Sequence, residues 1–291
     1  MKPAPFAYRR PATLPEAVAT LVADPGAKVL AGGQSLVALL NMRLASPSLL
    51  VDITALPDLD HVRCDAAGVR VGALASHAAV LASAEAAGVQ PLLTQALSYV
   101  AHPTIRNRGT TVGSLIHADA AAEMPAVLKL LGGSVEVEGP SGRRTIAADD
   151  LYIGPLESTV GHDEIAVEAY FPALGPGEGV AFDEISRRHG DYALCGVAAL
   201  VRLEGEHVVA ARAGYLSVCD VPTVVDLTGT LAGGVHAAAL ADAAETALAG
   251  LDPAADIHAT ADYRAHLVRV LTVRVLRAAY DDARERAGRR R

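Results

Sequence analysis

Two consecutive glycines close a short apolar run in Ala31-Gly32-Gly33-Gln34-Ser35. This pair constrains the fold more than any other feature of the chain. Without Cβ atoms, the backbone takes up positive φ and comes close to a neighbouring segment or a ligand. The run before it, Ala27 to Ala31, is bounded by glycines and predicts a buried strand. A helix is expected from Leu36 to Leu44, with Ser35 as its N-cap, and Leu49 to Ile53 reads as the next strand. Strand, glycine turn, helix and strand predict a small α/β layer. The free N–H groups at the helix start make an anion site suited to phosphate.

A second turn of the same style is Gly109-Thr110-Thr111-Val112-Gly113-Ser114, which offers hydroxyls and main-chain N–H groups. Two such turns, a domain half apart, are what a pyrophosphate held from both sides requires. Each alone is equally consistent with a plain turn. Neither matches G-x-G-x-x-G or a Walker A loop, so Rossmann and P-loop readings lose their main support.

Around these turns the pattern is α+β. Thr13-Leu14-Pro15-Glu16 is a capping box with Pro in the first turn, predicting a helix to about Ala23 that Asp24-Pro25-Gly26 ends. Val69 to Ala73 reads as a strand, Ser76 as an N-cap, and short helices as reaching Tyr99 before His102-Pro103. A helix over Ala120 to Leu131, closed by Gly132-Gly133, precedes a half-exposed strand at Ser134 to Glu138 and a turn at Gly139 to Gly142. Leu174-Gly175-Pro176-Gly177 is the linker candidate, dividing 1–174 (subdomains about 1–54 and 55–174) from 175–291. Beyond it, Cys195 to Leu203 and Val208 to Val218 form an antiparallel hairpin about Glu204 to His207. Helices follow at Ala237 to Ala249 and Asp262 to about Arg286. The last is expected to bury Tyr263, Leu267, Val270 or Leu271, and Val275 or Leu276, with Arg264, Arg269, Arg274 and Arg277 on its outer face.

Composition excludes several classes. A net charge of −8 argues against nucleic acid, and the terminal arginines, Arg284, Arg286, Arg289, Arg290 and Arg291, read as a solvated helix end. The 3 cysteines, Cys64, Cys195 and Cys219, show no C-x-x-C pair, so neither a disulfide framework nor a metal cluster is expected. His117-Ala118-Asp119 lacks the further ligands a metal site needs, and His102 and His189 read as turn and surface residues. No run approaches the roughly 18 apolar residues of a membrane span, and a cytoplasmic location is expected. No catalytic residue set is found, in keeping with chemistry that belongs to a cofactor.

Ala31 to Leu36, Arg106 to Thr110, Gly113 to Leu115, Ser186 to Ala193 and Ala259 to Leu276 together carry a resemblance, over nearly the whole chain, to the FAD subunits of molybdenum hydroxylases, the medium subunits of carbon monoxide dehydrogenase and its relatives and the flavin domain of xanthine dehydrogenase. The likeness begins in Ala31 to Leu36, Met42-Arg43-Leu44 and Leu50-Val51-Asp52-Ile53. It continues in Arg106 to Thr110, Gly113-Ser114-Leu115, His117-Ala118-Asp119 and Pro125-Ala126. Further segments are Ser186 to Ala193 and Ala259 to Leu276, where Ala261-Asp262-Tyr263-Arg264 opens the last helix. The resemblance implies a vanillyl-alcohol-oxidase (p-cresol methylhydroxylase) type FAD-binding domain followed by a small α+β C-terminal domain with an antiparallel sheet. It implies FAD as cofactor, held by Ala31, Gly32, Gly33, Gln34 and Ser35 and by Thr110, Thr111, Val112, Gly113 and Ser114, with Tyr192 against the isoalloxazine ring. It implies a molybdenum-cofactor large subunit and a [2Fe-2S] small subunit as partners in a heterotrimer. Electrons would pass from their clusters to the FAD and on to an external acceptor.

Three positions depart from the family pattern. Val112 replaces the first glycine of the second loop, implying a different approach to the cofactor or weaker binding. Glu123 stands where many relatives carry Asp, and Glu184 where some carry a Lys near the flavin. Either is also readable as an ordinary surface charge. Two rivals follow: a self-contained flavin oxidase of the same fold, and a non-redox nucleotide-binding or assembly protein whose flavin site has decayed, for which Val112 is the best argument.

Overall fold

The computed structural model describes residues 1–289, the last of them by its backbone alone, so Arg290, Arg291 and the Arg289 side chain lie outside it. The chain opens with β1 (Ala7–Arg9), α1 (Leu14–Ala23), β2 (Ala27–Leu30), α2 (Leu36–Met42) and β3 (Leu49–Asp52). The three strands form a parallel sheet in the order β1-β3-β2. The capping box forms: Thr13 Oγ1 accepts from Glu16 N at 3.3 Å, and Glu16 Oε2 reaches back to Ala12 N at 2.9 Å. β3 is central and wholly buried, and the Tyr8 hydroxyl of β1 donates to Asp52 at its end. β2 was expected to be buried but is only partly so, because one face opens onto a cavity lined by Ala27, Lys28 and Val29. α2 ends earlier than expected, at Arg43, which takes a left-handed φ of 59°.

The middle of the chain runs through β4 (Val62–Cys64), β5 (Gly68–Gly72), α3 (His77–Ala82), α4 (Ala84–Val89), α5 (Pro91–Tyr99) and α6 (Pro103–Arg106). It continues with α7 (Thr111–His117), α8 (Glu123–Leu131), β6 (Ser134–Gly139), β7 (Gly142–Ala147), α9 (Ala148–Leu151), β8 (Tyr152–Gly154), β9 (Glu157–Ser158) and β10 (Ile165–Pro172). A five-stranded antiparallel sheet has the order β4-β5-β10-β6-β7. The helix expected from Ala120 starts at Glu123, because Asp119 holds 119–122 in a turn by accepting from Ala121 N at 2.9 Å. α8 is buried nearly all round, as an element enclosed between layers must be. It lies so close to the C-terminal sheet that a Cβ on Gly214 would meet the Ala126 carbonyl at 3.2 Å.

The C-terminal part contains β11 (Glu178–Ser186), β12 (Ala193–Glu204), β13 (His207–Leu216), β14 (Thr223–Asp226), α10 (Thr228–Leu231), α11 (Ala237–Ala249) and α12 (Ala261–Arg289). The four strands are antiparallel in sequential order. Alternation along β12 sends Ala198 and Leu200 into the core shared with α8, and Cys195, Val197, Ala199, Val201 and Leu203 against α11 and α12; a register shift before Cys195 returns Ala193 to the first core. The sheet thus has both faces covered. α12 packs onto β11 at Gly179, where a Cβ would lie 2.3 Å from the Ala279 carbonyl oxygen.

The face expected for α12 is buried at Leu267, Leu271, Val275 and Leu276, with Arg269 and Arg274 outside, but its first turn departs: Tyr263 is exposed and Arg264 is buried. Its guanidinium replaces an apolar contact by donating to the carbonyls of Leu194 (3.1 Å) and Ala254 (2.5 Å) and to Asp256 Oδ2 (2.7 Å). The 3 cysteines are free, Cys195 buried and the others half-buried. Among the described residues no group of His, Cys, Asp and Glu is arranged to hold a metal ion. No helix among them is long and apolar enough to cross a membrane.

Candidate functional site

A cavity of about 870 Å³ opens between the parallel sheet, α7, the start of α8 and the 187–192 loop. Its volume falls within the roughly 300–1,000 Å³ typical of cofactor sites. Both glycine-bearing segments line it, and they touch each other. A Cβ on Gly32 would sit 2.1 Å from the Arg108 carbonyl oxygen, so only glycine permits the approach. Gly33 adopts φ +73°, the left-handed region glycine tolerates. Among the described residues the main-chain N–H groups of Gly33, Gln34, Ser35 and Leu36 have no hydrogen-bond partner. Orphan amides on the wall of a cavity suit an anion.

The second segment is built differently from the expectation. Rather than an open turn, 111–117 is helix α7, and Thr110 is its N-cap, with Oγ1 accepting from Gly113 N at 3.1 Å. Thr111 faces away from the cavity. Its hydroxyl lies 3.2 Å from Nδ1 of the buried His77, and its N–H is held by the Ala75 carbonyl at 3.2 Å. Burial, and then the charge of Arg106, lower the His77 pKa to about 4, so its ring is neutral at pH 7. The Thr111 hydroxyl is therefore unavailable to a ligand, and in this segment the amides of Thr110 and Val112 are left without a partner among the described residues. Val112 costs nothing in a helix, where its β-branched side chain is buried and no positive φ is needed. Ser35 also departs from expectation: it stands at the N-cap of α2 in the right-handed region and makes no side-chain cap.

The remaining predicted residues fall on one side of the cavity. Tyr192 lines it with 67% of its surface exposed, on a loop shaped by Gly190 (φ +84°), which packs on the His102 ring. It is no core tyrosine. Glu123, first residue of α8, also lines the cavity yet is only 8% exposed. Burial, partly offset by its own main-chain N–H and reinforced by Asp119, raises its pKa to about 7. Glu184 does not line the cavity; it lies behind, in β11, 6% exposed, with Oε2 lacking a hydrogen-bond partner among the described residues. It is no surface charge: burial, then Glu123 and Asp183, raise it to about 8.

One wall carries no recognisable motif. Leu156 to Ala166 closes the cavity opposite the glycine loops and brings Glu157, His162 and Glu164 to its lining. Arg144 grips Glu164 through two contacts of 2.6 Å, and Gly161 N donates to Glu164 at 2.7 Å, which makes this wall rigid.

The family model described as the FAD binding domain in molybdopterin dehydrogenase matches residues 4–174, and that of the CO dehydrogenase flavoprotein C-terminal domain matches residues 180–279. The chain belongs to the FAD-binding subunits of the molybdenum hydroxylases. As such a flavin subunit it is part of an oxidoreductase, and its cofactor is FAD. It is 40% identical to the 6-hydroxypseudooxynicotine dehydrogenase complex subunit alpha of Paenarthrobacter nicotinovorans, covering 98% of this chain and 97% of that one. The nicotine 6-hydroxylase medium subunit of the same organism is 38% identical, over 95% of this chain and 98% of its own. Among solved structures, carbon monoxide dehydrogenase from Hydrogenophaga pseudoflava superposes with a TM-score of 0.92 at 32% identity, over 97% of this chain and 99% of that one. The cavity fits the cofactor of a flavin subunit. Its free amides suit a diphosphate, and an aromatic face at Tyr192 suits a planar ring.

Proposed function

We propose that this flavin subunit takes electrons from the [2Fe-2S] clusters of a small partner subunit and passes them to an external acceptor. A large partner subunit with the molybdenum cofactor hydroxylates the substrate. FAD, when bound, accepts and returns electrons. The chain's own residues bind and orient it. Gly33 to Leu36 and Val112 would receive the diphosphate through their free amides, while Ala31, Thr110, Gly113 and Ser114 shape the channel. Tyr192 would cover the ring, and Glu123 would meet it from the α8 side.

The observation that carries this reading is the contact of Gly32 with Arg108, which brings two segments distant in sequence onto one cavity. The burial of Val112 within α7 removes the main support for a decayed site. A three-stranded parallel sheet beside a five-stranded antiparallel one supports assignment to the vanillyl-alcohol-oxidase type, with 1–174 as the cofactor-binding part and 175–291 as the C-terminal domain. A heterotrimer in the cytoplasm completes the proposal. Purification of the chain tests it. A yellow protein whose flavin spectrum bleaches with dithionite is expected, and a colourless protein that ignores added FAD would overturn it.

A further inference from the structure

Two carboxyl groups, Glu123 at the start of α8 and Glu184 in β11, are buried without an ion-pair partner among the described residues. Glu184 is 6% exposed and Glu123 8%, and each is close enough that charge on Glu123 raises the proton affinity of Glu184. Among the described residues neither forms an ion pair, and Glu184 Oε2 has no hydrogen-bond partner. A buried carboxylate in that state is unfavourable by several kcal/mol, whereas a carboxylic acid is tolerated.

The surroundings reinforce this. On β11, Asp183 adds negative charge beside Glu184. The cation on that side, Arg274 of α12, is already engaged by Asp183 at 2.6 Å, and Tyr99 of α5 donates to the same carboxylate at 3.2 Å. From β12 comes Cys195, whose thiol is kept neutral by burial, and behind it Arg264 is occupied by main-chain carbonyls and Asp256. On the cavity side, Asp119 and Tyr192 face Glu123, and His117 of α7 lines the wall with Lys28 near it. The pair therefore borders the cavity through Glu123 and is closed off from solvent through Glu184.

We propose that Glu123 and Glu184 form a buried acid pair that takes up a proton from solvent when a flavin nucleotide brings negative charge into the cavity. The proton enters through the open cavity and joins a carboxylate oxygen of Glu123; no bond of the occupant is made or broken. Added negative charge raises the proton affinity of both groups, so the pair offsets in protons part of the charge it receives. The proposal rests on the FAD reading for what supplies that charge, and the pair itself is testable without it.

Two measurements decide it. Infrared titration of the chain without cofactor should show the carbonyl band of a protonated carboxyl at neutral pH, fading as the pH passes about 8 and missing in Glu184→Gln. Absence of that band, its retention about pH 8 in Glu184→Gln, or an unchanged midpoint in Glu123→Gln overturns the pair; the Glu123 carboxyl adds a second component that fades at about pH 7. Calorimetric FAD titration in buffers of different ionisation enthalpy should then register proton uptake on binding between pH of about 7 and 9, with affinity falling by up to about tenfold per pH unit. Glu184→Gln, which does not touch the cavity, should bind FAD with that dependence reduced. Tight FAD binding with no proton uptake overturns the coupling and leaves the flavin reading intact. Failure to bind FAD at any pH overturns the flavin reading itself, while the infrared band still decides the pair.

Discussion

Gly32 and Arg108 are in main-chain contact: the carbonyl oxygen of Arg108 occupies the space 2.1 Å from where a Gly32 Cβ would stand. Because the obstacle is backbone, no rotamer relieves it. Gly32→Ala must push the two segments of the cavity apart. The expected outcome is a loss of stability of about 1–3 kcal/mol, as for other overpacked sites. A fall in FAD affinity of at least about tenfold is expected with it, equivalent to roughly 1.4 kcal/mol. Gly88→Ala is the control. Gly88 lies in α4 with nothing within 4 Å of an added Cβ, so it should gain about 0.5–1 kcal/mol by helix propensity. Urea denaturation and FAD titration of both variants check this.

Tyr192 separates binding from stability. Its ring is exposed at the cavity and packs into neither core. Tyr192→Ala should leave stability within about 0.5 kcal/mol of the wild type. Removing an aromatic face from a stacked ring is worth about 1 kcal/mol, or roughly fivefold in FAD affinity, and Tyr192→Phe should retain most of it. Equal affinity in the wild type and the alanine variant, read by flavin fluorescence, would take the ring out of the site.

Local chemistry was legible wherever one short segment decides the outcome. The Thr13–Glu16 box, the Gly32-Gly33 turn and the alternation of Ser134 to Glu138 all formed where their residues predict. What failed depended on direction in space. Thr110 and Thr111 are chemically alike, yet Thr110 is the extended N-cap and Thr111 the first helical residue, so one lines the cavity and the other faces His77. On α12 the expected face holds except at Arg264, because an arginine in a helical pattern reads as solvent-facing. Only the fold reveals that unpaired carbonyls from Leu194 and Ala254 await Arg264. Glu184 was misplaced for the opposite reason: an isolated Glu in a strand carries no sign that both sheet faces are covered. The wall from Leu156 to Ala166 has no local signature, since packing alone brings it to the cavity.

The buried carboxyls and His77 should shape stability against pH with opposite signs. In the folded chain Glu123 and Glu184 release protons near about 7 and about 8, against 4.5 when unfolded. Between those limits the folded state holds more protons, so stability falls as pH rises. His77 titrates near about 4 when folded and 6.5 when unfolded, so its contribution is complete above 6.5 and is lost as pH falls toward 4. Above 6.5, of these three groups, the carboxyls alone act. Stability should decline between pH 6.5 and about 8, at up to about 1.4 kcal/mol per pH unit for each proton released. Glu184→Gln should flatten the decline. A wild-type profile already flat over that range, in urea denaturation at successive pH values, would contradict the burial of charge described for this pair.

Arg264 should prove the most sensitive point of the C-terminal domain. Its side chain is buried, and it joins the start of α12 to β12 through Leu194 and to the loop before α12 through Ala254 and Asp256. Arg264→Met keeps the apolar stem but leaves the carbonyls without a donor and Asp256 without its cation. The expected cost is about 2–4 kcal/mol, from main-chain acceptors left without a donor, with little from Asp256, whose side chain is 45% exposed. Arg264→Lys should recover only part of this, because an ammonium cannot span three acceptors held in a planar arrangement. The acid limb carries a second signature. The Arg264 guanidinium holds Asp256 down to about 2 from 3.8, so this pair contributes fully above 3.8 and is lost as pH falls through about 2. Arg264→Met should therefore lose stability at neutral pH and show a shallower acid transition than the wild type. Equal acid limbs in the two proteins, with the neutral loss intact, would assign the cost to the carbonyls alone.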